Sequence, residues 1–176
     1  MKTPVLETRR LILRPLTLAD GEDIYQNWAT DPEVARFMRW SVHESVEVTK
    51  DWLKEVEASI ELDVAYDWGF VLKENHMLIG SGGLYWKEEK GAFELGYNLM
   101  KKEWNKGYTT EAADEMVRFA KEELAQKELF CCHAKENIAS GKVMEKIGFR
   151  YFKDGSYSSF DQSRTFETRD YKLLFE

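Results

Sequence analysis

The segment from residue 94 to residue 112, ELGYNLMKKEWNKGYTTEA, combines an extended stretch, a short loop with a glycine and the start of a helix. The first backbone N–H groups of a helix have no intrahelical partner, and the positive end of the helix dipole lies behind them. Such a place binds phosphate. Gly107 lets the backbone approach a ligand closely, and Lys106 adds positive charge. The residues predict a pyrophosphate site on the N–H groups of Asn105 through Thr110, although an ordinary strand-to-helix turn has the same spacing.

This loop differs from two well-known nucleotide-binding loops. The P-loop order G-x-x-x-x-G-K-[ST] is absent, because Lys106 precedes its glycine. The dinucleotide-binding fingerprint G-x-G-x-x-G is absent as well. A kinase or GTPase is also disfavoured because the carboxylates that hold magnesium in those enzymes are missing.

The histidines and cysteines do not predict a metal site. His43, His76 and His133 are scattered without the spacing of metal ligands. Cys131 and Cys132 are adjacent, so a disulfide between them would be strained. We expect both cysteines to be reduced and to lie on a strand, and we expect no bound metal.

The hydrophobic period of the chain changes several times between the strand and helix values. Residues 10 to 16 alternate polar and apolar and predict an opening strand. Short helices follow, with Pro32 in a first turn, and Ser41 with Glu44 forms a capping box that predicts a helix to about residue 62. The later elements are strands over DWGFVLKE, LIGSGGLYW and GAFELGYNLM, a helix from Gly107 to about Lys127, the strand LFCCHA, a helix from Asn137 to Ile147, and strands over FRYFKDGSY and TRDYKLLF. The order β-α-α-α-β-β-β-α-β-α-β-β predicts an α/β sandwich with a mixed sheet.

The composition is that of one acidic globular domain. The 176 residues are 43% hydrophobic, which suits one core and would be cramped for two. A net charge of −7 argues against a nucleic-acid partner and is compatible with a cationic or amine substrate. No apolar run approaches the roughly 20 residues of a membrane span, and the N-terminus lacks the apolar core of a signal peptide. We therefore expect a cytoplasmic protein without a membrane partner.

The string EWNKGYTTEA, preceded by FELGYNL and followed by KENIASGKVMEKIGF, resembles the acetyl-CoA site of the GNAT acetyltransferases. Within that superfamily the chain is most similar to the branch that acetylates ribosomal-protein N-termini, and ETRRLILRPLTLAD and TRDYKLL extend the similarity over nearly the whole chain. The resemblance implies one domain over residues 1–176 with a mixed, mostly antiparallel seven-stranded sheet. Two central strands of that sheet splay apart, and helices cover both faces. It also implies transfer of an acetyl group from acetyl-CoA to a primary amine.

The resemblance implies a set of acetyl-CoA contacts. The family's loop pattern places Trp104 first, Gly107 at the glycine and Thr109 where the family has Gly or Ala, a mild departure that crowds the phosphate. The strand end splays from its neighbour, and its backbone pairs with the pantetheine arm. Asn137 contacts the pantetheine, and Ser140 lies near the thioester sulfur, where many members have a tyrosine. The expected contacts are Leu99, Met100, Asn105, Lys106, Gly107, Tyr108, Thr109, Thr110, Asn137 and Ser140.

Two side chains are candidates for the chemistry. Ser140 shares a helical stripe with Val143 and Met144, so its hydroxyl points inward and can donate to a thiolate leaving group, unless it only caps its own turn. Glu94 is the candidate base for the amine proton, because apolar neighbours would raise its pKa, unless it only hydrogen-bonds a neighbouring element. The backbone N–H near Leu99 is the candidate oxyanion donor.

The acceptor side is expected to use the early aromatic residues. Trp28, Phe37 and Trp40 would line it, with Tyr85 opposite, although aromatics at helical spacing are more often core residues. The acceptor is a protein N-terminus or, alternatively, a small polyamine, amino acid or aminoglycoside. A second interpretation is a non-catalytic acyl-CoA-binding module, which the presence of Ser140 and Glu94 disfavours. The sequence leaves monomer and homodimer open.

Overall fold

The start of the chain forms a hairpin of two strands. In the computed structural model, which describes residues 1–176, β1 (Leu6–Glu7) pairs antiparallel with β2 (Leu11–Pro15). The Thr8 N–H donates to the Leu11 carbonyl at 2.9 Å and turns the chain back after Glu7. The prediction of seven strands is therefore wrong, because this turn lets the first residues pair as an eighth strand.

Helices connect β2 to the next strand. A 3-10 turn (Leu18–Asp20) leads into α1 (Gly21–Ile24), which continues as a wider π turn, and α2 (Pro32–Ala35) has Pro32 in its first turn as predicted. The long helix α3 (Val46–Ser59) begins after Ser45. The predicted Ser41–Glu44 capping box is wrong, because the Ser41 hydroxyl instead donates to Asp161 at 3.1 Å.

Three antiparallel strands follow as a meander, as predicted. They are β3 (Ala65–Leu72), β4 (Leu78–Lys87) and β5 (Ala92–Leu99). Residues directly opposite each other on neighbouring strands point to the same face of the sheet. One face of this meander therefore carries Asp67, Ser81, Tyr85, Glu94 and Asn98, and the other carries mainly apolar side chains.

The second half of the chain completes an eight-stranded sheet of order β1-β2-β3-β4-β5-β6-β8-β7. Only the pair between β5 and β6 is parallel. The mixed, mostly antiparallel α/β fold is therefore confirmed. The remaining elements are α4 (Tyr108–Glu122), β6 (Glu128–Ala134), α5 (Ile138–Lys146), β7 (Arg150–Ser158) and β8 (Thr165–Leu174).

The two central strands part soon after they meet. Strands β5 and β6 pair only at Phe93 with Leu129 and at Glu94 with Phe130. Beyond Glu94, β5 packs against α4 and β6 packs against α5, so the expected splay is confirmed.

Helices cover both faces of the sheet. On one face, Phe119 of α4 packs against Tyr66 and Trp68 with ring centroids 5.4 and 5.3 Å apart. On the other, the Asn27 amide donates to the Leu78 carbonyl at 2.8 Å and ties the helix after α1 to β4. No helix combines the length and apolar character needed to cross a membrane.

The carboxylate of Asp20 holds the turn that follows β2. It accepts hydrogen bonds from Arg14 at 2.7 and 2.9 Å and from the Thr17 N–H at 2.8 Å. Burial opposes ionisation, but these hydrogen bonds hold the pKa of Asp20 below its usual range. A carboxyl whose pKa is lowered by folding stabilises the protein above its unfolded-state pKa and loses that effect as the pH falls through the folded value.

We expect Asp20→Asn to lower the free energy of unfolding by about 2 kcal/mol at neutral pH, because hydrogen bonds to a charged group are lost. The difference from the parent protein should shrink as the pH falls below about 4 and through the lowered folded-state pKa, because the carboxyl then becomes protonated in the folded protein as well. Urea titrations at the two pH values measure both effects. Asp114→Asn removes an exposed aspartate of α4 and serves as the matched control. An Asp20 effect independent of pH would contradict the ionic contribution.

Candidate active site

Backbone groups at the end of β5 face the splay without a strand partner. The Met100 N–H donates to the Ile79 carbonyl at 2.8 Å, and along an antiparallel strand alternate residues bond to the neighbour. Tyr97 and Leu99 therefore direct their backbone groups toward β6, where pairing has already ended. The Leu99 carbonyl accepts from the Trp104 indole at 2.8 Å, which leaves the Leu99 N–H for a ligand.

The loop before α4 is held in a conformation that exposes the first turn of the helix. Gly107 has a φ of 82° and Asn105 one of 62°, both in the left-handed region that favours glycine. Arg10 donates to the Lys106 carbonyl at 2.9 Å and to the Glu111 carboxylate at 2.7 Å. Arg10 thus joins the loop to the first turn of α4 and leaves the first N–H groups of this helix available to a ligand.

A groove of about 500 Å³ connects the loop with the splay; we call it the donor groove. All but two of the residues expected to contact acetyl-CoA line it. They are Leu99, Asn105, Gly107, Tyr108, Thr109, Thr110, Asn137 and Ser140.

The two remaining residues do not reach the donor groove. Met100 is buried in the hydrophobic core, and its N–H is already used by Ile79. The Lys106 ammonium pairs with the buried Glu103 at 2.8 Å. The sequence placed both next to the motif but could not show where their side chains point.

Ser140 finds a partner that the sequence did not predict. Its hydroxyl lies 3.1 Å from the Tyr97 hydroxyl, which can donate either to that oxygen or to the Ser140 carbonyl, also 3.1 Å away. Burial raises the pKa of Tyr97 well above its usual range, so the phenol keeps its proton at neutral pH. The only available signal was a phenol at an apolar position of the β5 alternation, between Leu95 and Leu99. Asn137 precedes α5 as predicted, but its side chain makes no capping hydrogen bond.

A second cavity of about 730 Å³ lies among the early helices; we call it the acceptor cleft. Trp28, Phe37, Trp40 and Tyr85, the residues predicted for the acceptor side, all line it. Trp28 is also 2% exposed and belongs to the hydrophobic core, so part of its role is packing.

The two cavities adjoin at the splay. Tyr97, Asn98, Asn137 and Ser140 line both of them, together with Phe37 and Met38. A ligand lying in the donor groove can therefore meet a second molecule in the acceptor cleft at this point. The Tyr97–Ser140 pair stands at the junction.

Glu94 lies in the acceptor cleft but not in the apolar surroundings expected from the sequence. Its carboxylate pairs with Lys90 and lies 3.8 Å from Arg39. The side chain is 13% exposed. The expectation of an apolar environment is wrong because Arg39 comes from a distant loop and Lys90 from the turn before β5.

The loop over residues 36–41 forms one wall of the acceptor cleft and is held by Arg164, which sequence reasoning missed. The guanidinium donates to the carbonyls of Ala35, Arg36, Met38 and Trp40 at 3.2, 3.3, 3.2 and 2.9 Å. Every residue has a main-chain carbonyl, so the sequence cannot show which carbonyls will accept from Arg164.

Two further contacts attach this loop to the turn between β7 and β8. The Phe160 N–H donates to the Arg39 carbonyl at 2.8 Å, and the Tyr157 hydroxyl donates to the Phe37 carbonyl. Tyr157 is thus half-buried against the loop. Phe160 remains 73% exposed.

Comparison with known families identifies the chain. Residues 10–150 match the family model of the acetyltransferase (GNAT) domain. YoaA of Bacillus subtilis, named an uncharacterized N-acetyltransferase, is 26% identical over 174 residues that cover 97% of each chain. The chain therefore belongs to the GNAT acetyltransferase family and is an acyltransferase.

Solved structures share the same fold at low sequence identity. The ribosomal-protein-S5-alanine acetyltransferase of Vibrio fischeri superposes with a TM-score of 0.83 at 16% identity, over 97% of this chain and 96% of that chain. The microcin C7 self-immunity acetyltransferase MccE, solved with acetyl-CoA and AMP, has a TM-score of 0.83 at 13% identity, over 96% and 94% of the two chains.

We expect Arg164→Lys to raise the KM for the acceptor by about tenfold and to leave acetyl-CoA binding unchanged. A lysine ammonium cannot span the carbonyls that a planar guanidinium reaches, so the 36–41 loop loosens. Initial rates at varied acceptor and calorimetry with acetyl-CoA separate the two effects. Arg150→Lys on the exposed face of β7 is the matched control. An equal loss of acetyl-CoA affinity would mean that Arg164 supports the whole fold instead of the loop.

Proposed function

We propose that this enzyme transfers the acetyl group of acetyl-CoA to a primary amine, and that its acceptor is a protein N-terminal α-amine. The observation that carries the proposal is the meeting of the donor groove and the acceptor cleft at Tyr97, Asn98, Asn137 and Ser140. We further propose that residues 1–176 act as one catalytic domain. The fold shared with the Vibrio fischeri enzyme supports the N-terminal acceptor.

The donor groove has the features that acetyl-CoA requires. The outward N–H groups of Tyr108, Thr109 and Thr110 suit the pyrophosphate, because a helix N-terminus favours an anion. The open edge of β5 suits the pantetheine arm, which would add beside the Tyr97 backbone groups as an extended strand. Asn137 lies at the junction and can hydrogen-bond the same arm.

Acetyl-CoA supplies an activated thioester: the amine nitrogen bonds to the acetyl carbon, the carbon–sulfur bond breaks, and the amine loses a proton. Leu99 offers its N–H to the acetyl oxygen. Ser140 donates its hydroxyl proton to the departing sulfur while the Tyr97 hydroxyl donates to the Ser140 Oγ and orients it. Alignment of the two substrates at the junction contributes the larger part of the rate enhancement.

Glu94 is the proposed acceptor of the amine proton. It stands on the cleft face of β5, on the same face as Asn98, and its carboxylate contacts the cleft. Its pairs with Lys90 and Arg39 orient the carboxylate. The Glu94 carboxylate can take the proton only if the incoming amine reaches it beside Lys90 and Arg39 or displaces one of them. A water between the amine and the carboxylate could also carry the proton.

A small cationic amine is the second candidate acceptor. The acceptor cleft combines aromatic walls with the buried carboxylate of Asp67, a lining that suits a linear polyamine as well as a peptide end. A binding module without turnover is less consistent with the structure, because such a module would not require the Tyr97–Ser140 pair where the cavities meet.

Calorimetry with acetyl-CoA, followed by measurement of thiol release with amines, tests the proposal. We expect acetyl-CoA to bind, and peptides with a free N-terminal alanine or serine to release the thiol faster than the same peptides with a blocked N-terminus. Release with polyamines alone would select the second candidate. Binding without release by any amine would favour the binding module, and a failure to bind acetyl-CoA would contradict the proposal.

We expect Ser140→Ala and Tyr97→Phe each to lower kcat by about tenfold to a hundredfold, the effect of one hydrogen bond to a developing charge. Acetyl-CoA affinity should stay within about twofold, because neither hydroxyl holds the pyrophosphate. The double variant should lose little more than either single variant, since the two hydroxyls act as one unit. Tyr151→Phe, which removes an exposed phenol from β7, is the control. Additive losses would show that the hydroxyls act separately.

We expect Glu94→Gln to lower kcat/KM by about a hundredfold if the carboxylate accepts the amine proton. Lys90→Gln breaks the neighbouring ion pair and keeps the carboxylate, so it should retain most of the activity. Acceptor-dependent rates and thermal unfolding of both variants provide the comparison. Equal losses of activity and of thermal stability in the two variants would assign Glu94 a structural role.

A further inference from the structure

Asp67 is a buried carboxylate without a cationic partner. Among the buried acidic residues, Asp20 pairs with Arg14 and Glu103 pairs with Lys106, each with at least one contact shorter than 3 Å. Asp67 is 9% exposed and accepts only the Tyr85 hydroxyl, at 2.6 Å. A buried charge without a counter-ion is unfavourable unless a ligand supplies one. Burial also raises the pKa of Asp67.

Two glycines keep Tyr85 beside Asp67. Gly83 and Gly96 lie directly opposite each other on β4 and β5, in the same row as Asp67 on β3. A Cβ on Gly83 would lie 2.7 Å from the Tyr85 hydroxyl oxygen, and one on Gly96 would lie 3.4 Å from its ring. The Tyr85 ring therefore lies over both glycines, in the cleft. An aromatic surface next to a carboxylate is a favourable site for an organic cation.

Asn98 provides a second unsatisfied acceptor in the same cleft. Its amide nitrogen donates to the Ser81 hydroxyl at 3.0 Å, and this orients the Oδ1 atom away from Ser81. That oxygen is buried and has no hydrogen-bond partner. Buried acceptors are rarely left unpaired in native proteins. Because Asn98 lines both cavities, this oxygen lies beside the junction at which a reacting amine would arrive.

The sheet register fixes the separation of these two acceptors. Asn98 lies opposite Ser81, which is two residues from Gly83, the residue opposite Asp67. Two strand spacings across the sheet and two residues along it place the Asp67 and Asn98 Cα atoms on the order of 10 Å apart. At that spacing of the two strands, two groups of one acceptor can each contact one of these side chains.

The remaining charges of the cleft do not supply the missing cation. Arg39 and Lys90 pair with Glu94, and Lys87 follows Tyr85 at the end of β4 without an ion pair to Asp67. Asp51 and Glu55 of α3 also line the cleft and add negative charge to its wall.

We propose that the acceptor carries two amine-type groups on the order of 10 Å apart. The reacting amine donates to the Oδ1 of Asn98, and the second, cationic group binds Asp67 beside the Tyr85 ring. This inference rests on the proposed function and narrows its acceptor. The same chemistry has two sources, a basic side chain near a peptide N-terminus and the far end of a linear polyamine.

Calorimetry with amines in the presence of CoA tests the site without relying on turnover. One arm compares linear diamines of increasing length with the monoamines of the same lengths. The other compares alanine-initiated peptides that carry lysine or its neutral analogue norleucine at the second, third or fourth position. We expect the doubly charged acceptor of matching length to bind at least about tenfold more tightly than its singly charged partner in one arm, which identifies the source.

Asp67→Asn keeps the shape of the side chain and the acceptor for Tyr85, and removes the charge. We expect it to abolish the tenfold preference, with monoamine binding and acetyl-CoA affinity unchanged. Tyr85→Phe keeps the ring and should weaken the preference in part. Glu167→Gln, an exposed carboxylate on β8, controls for net charge.

Two results would overturn the inference: no preference for the second charge in either arm, or a preference that survives Asp67→Asn. Failure of the proposed function would look different. In that case wild-type protein would release no thiol with any amine, while the binding comparison would still decide whether Asp67 receives a cation.

Discussion

The parting of β5 from β6 after Glu94 is the constraint on which the rest of the molecule depends. Backbone N–H and C=O groups inside a protein are nearly always paired, and a strand that loses its neighbour must find other partners. Trp104 satisfies the Leu99 carbonyl, but the Leu99 N–H is left for a ligand. The open edge in the middle of the sheet is therefore suited to bind a ligand, because its unpaired backbone groups need hydrogen-bond partners.

Close helix packing accompanies the separation. The helix α5 lies tight against β6, since a Cβ on Gly141 would stand 2.7 Å from the His133 ring. On the other side of the gap, α4 packs on the meander through Phe119. Each strand is thus tied to its own helix, and the Tyr97–Ser140 contact at 3.1 Å bridges the gap where the strands no longer can. The same contact places two hydroxyls at the point where the donor groove and the acceptor cleft join.

The two neighbouring cavities have different electrostatics. The donor groove is built from backbone N–H groups and a helix N-terminus, which favour phosphate without a buried charge of the protein. The acceptor cleft is built from side chains on the polar face of the meander, where Glu94 is neutralised by Lys90 and Asp67 is not neutralised by any residue of the chain. Arg164 holds one wall of the cleft in place by joining the 36–41 loop to the last two strands.

The order of helices and strands and the glycine loop before α4 could be read from the chain, because period and turn residues are local properties. The family resemblance was the basis for predicting Ser140 and Asn137 as site residues and for expecting the splay. The eighth strand was missed because Leu6–Glu7 is too short to show a period, and Ser41 was misassigned because its partner Asp161 is distant in the chain. Tyr97, Arg164 and Asp67 could not be identified as site residues, since each is defined by a contact across the fold. The local sequence determined which helices and strands form and which loop can bind a phosphate. Only the tertiary structure decided which hydroxyl meets Ser140 and which buried carboxylate lacks a cation, because register and helix packing bring together residues that no sequence spacing relates.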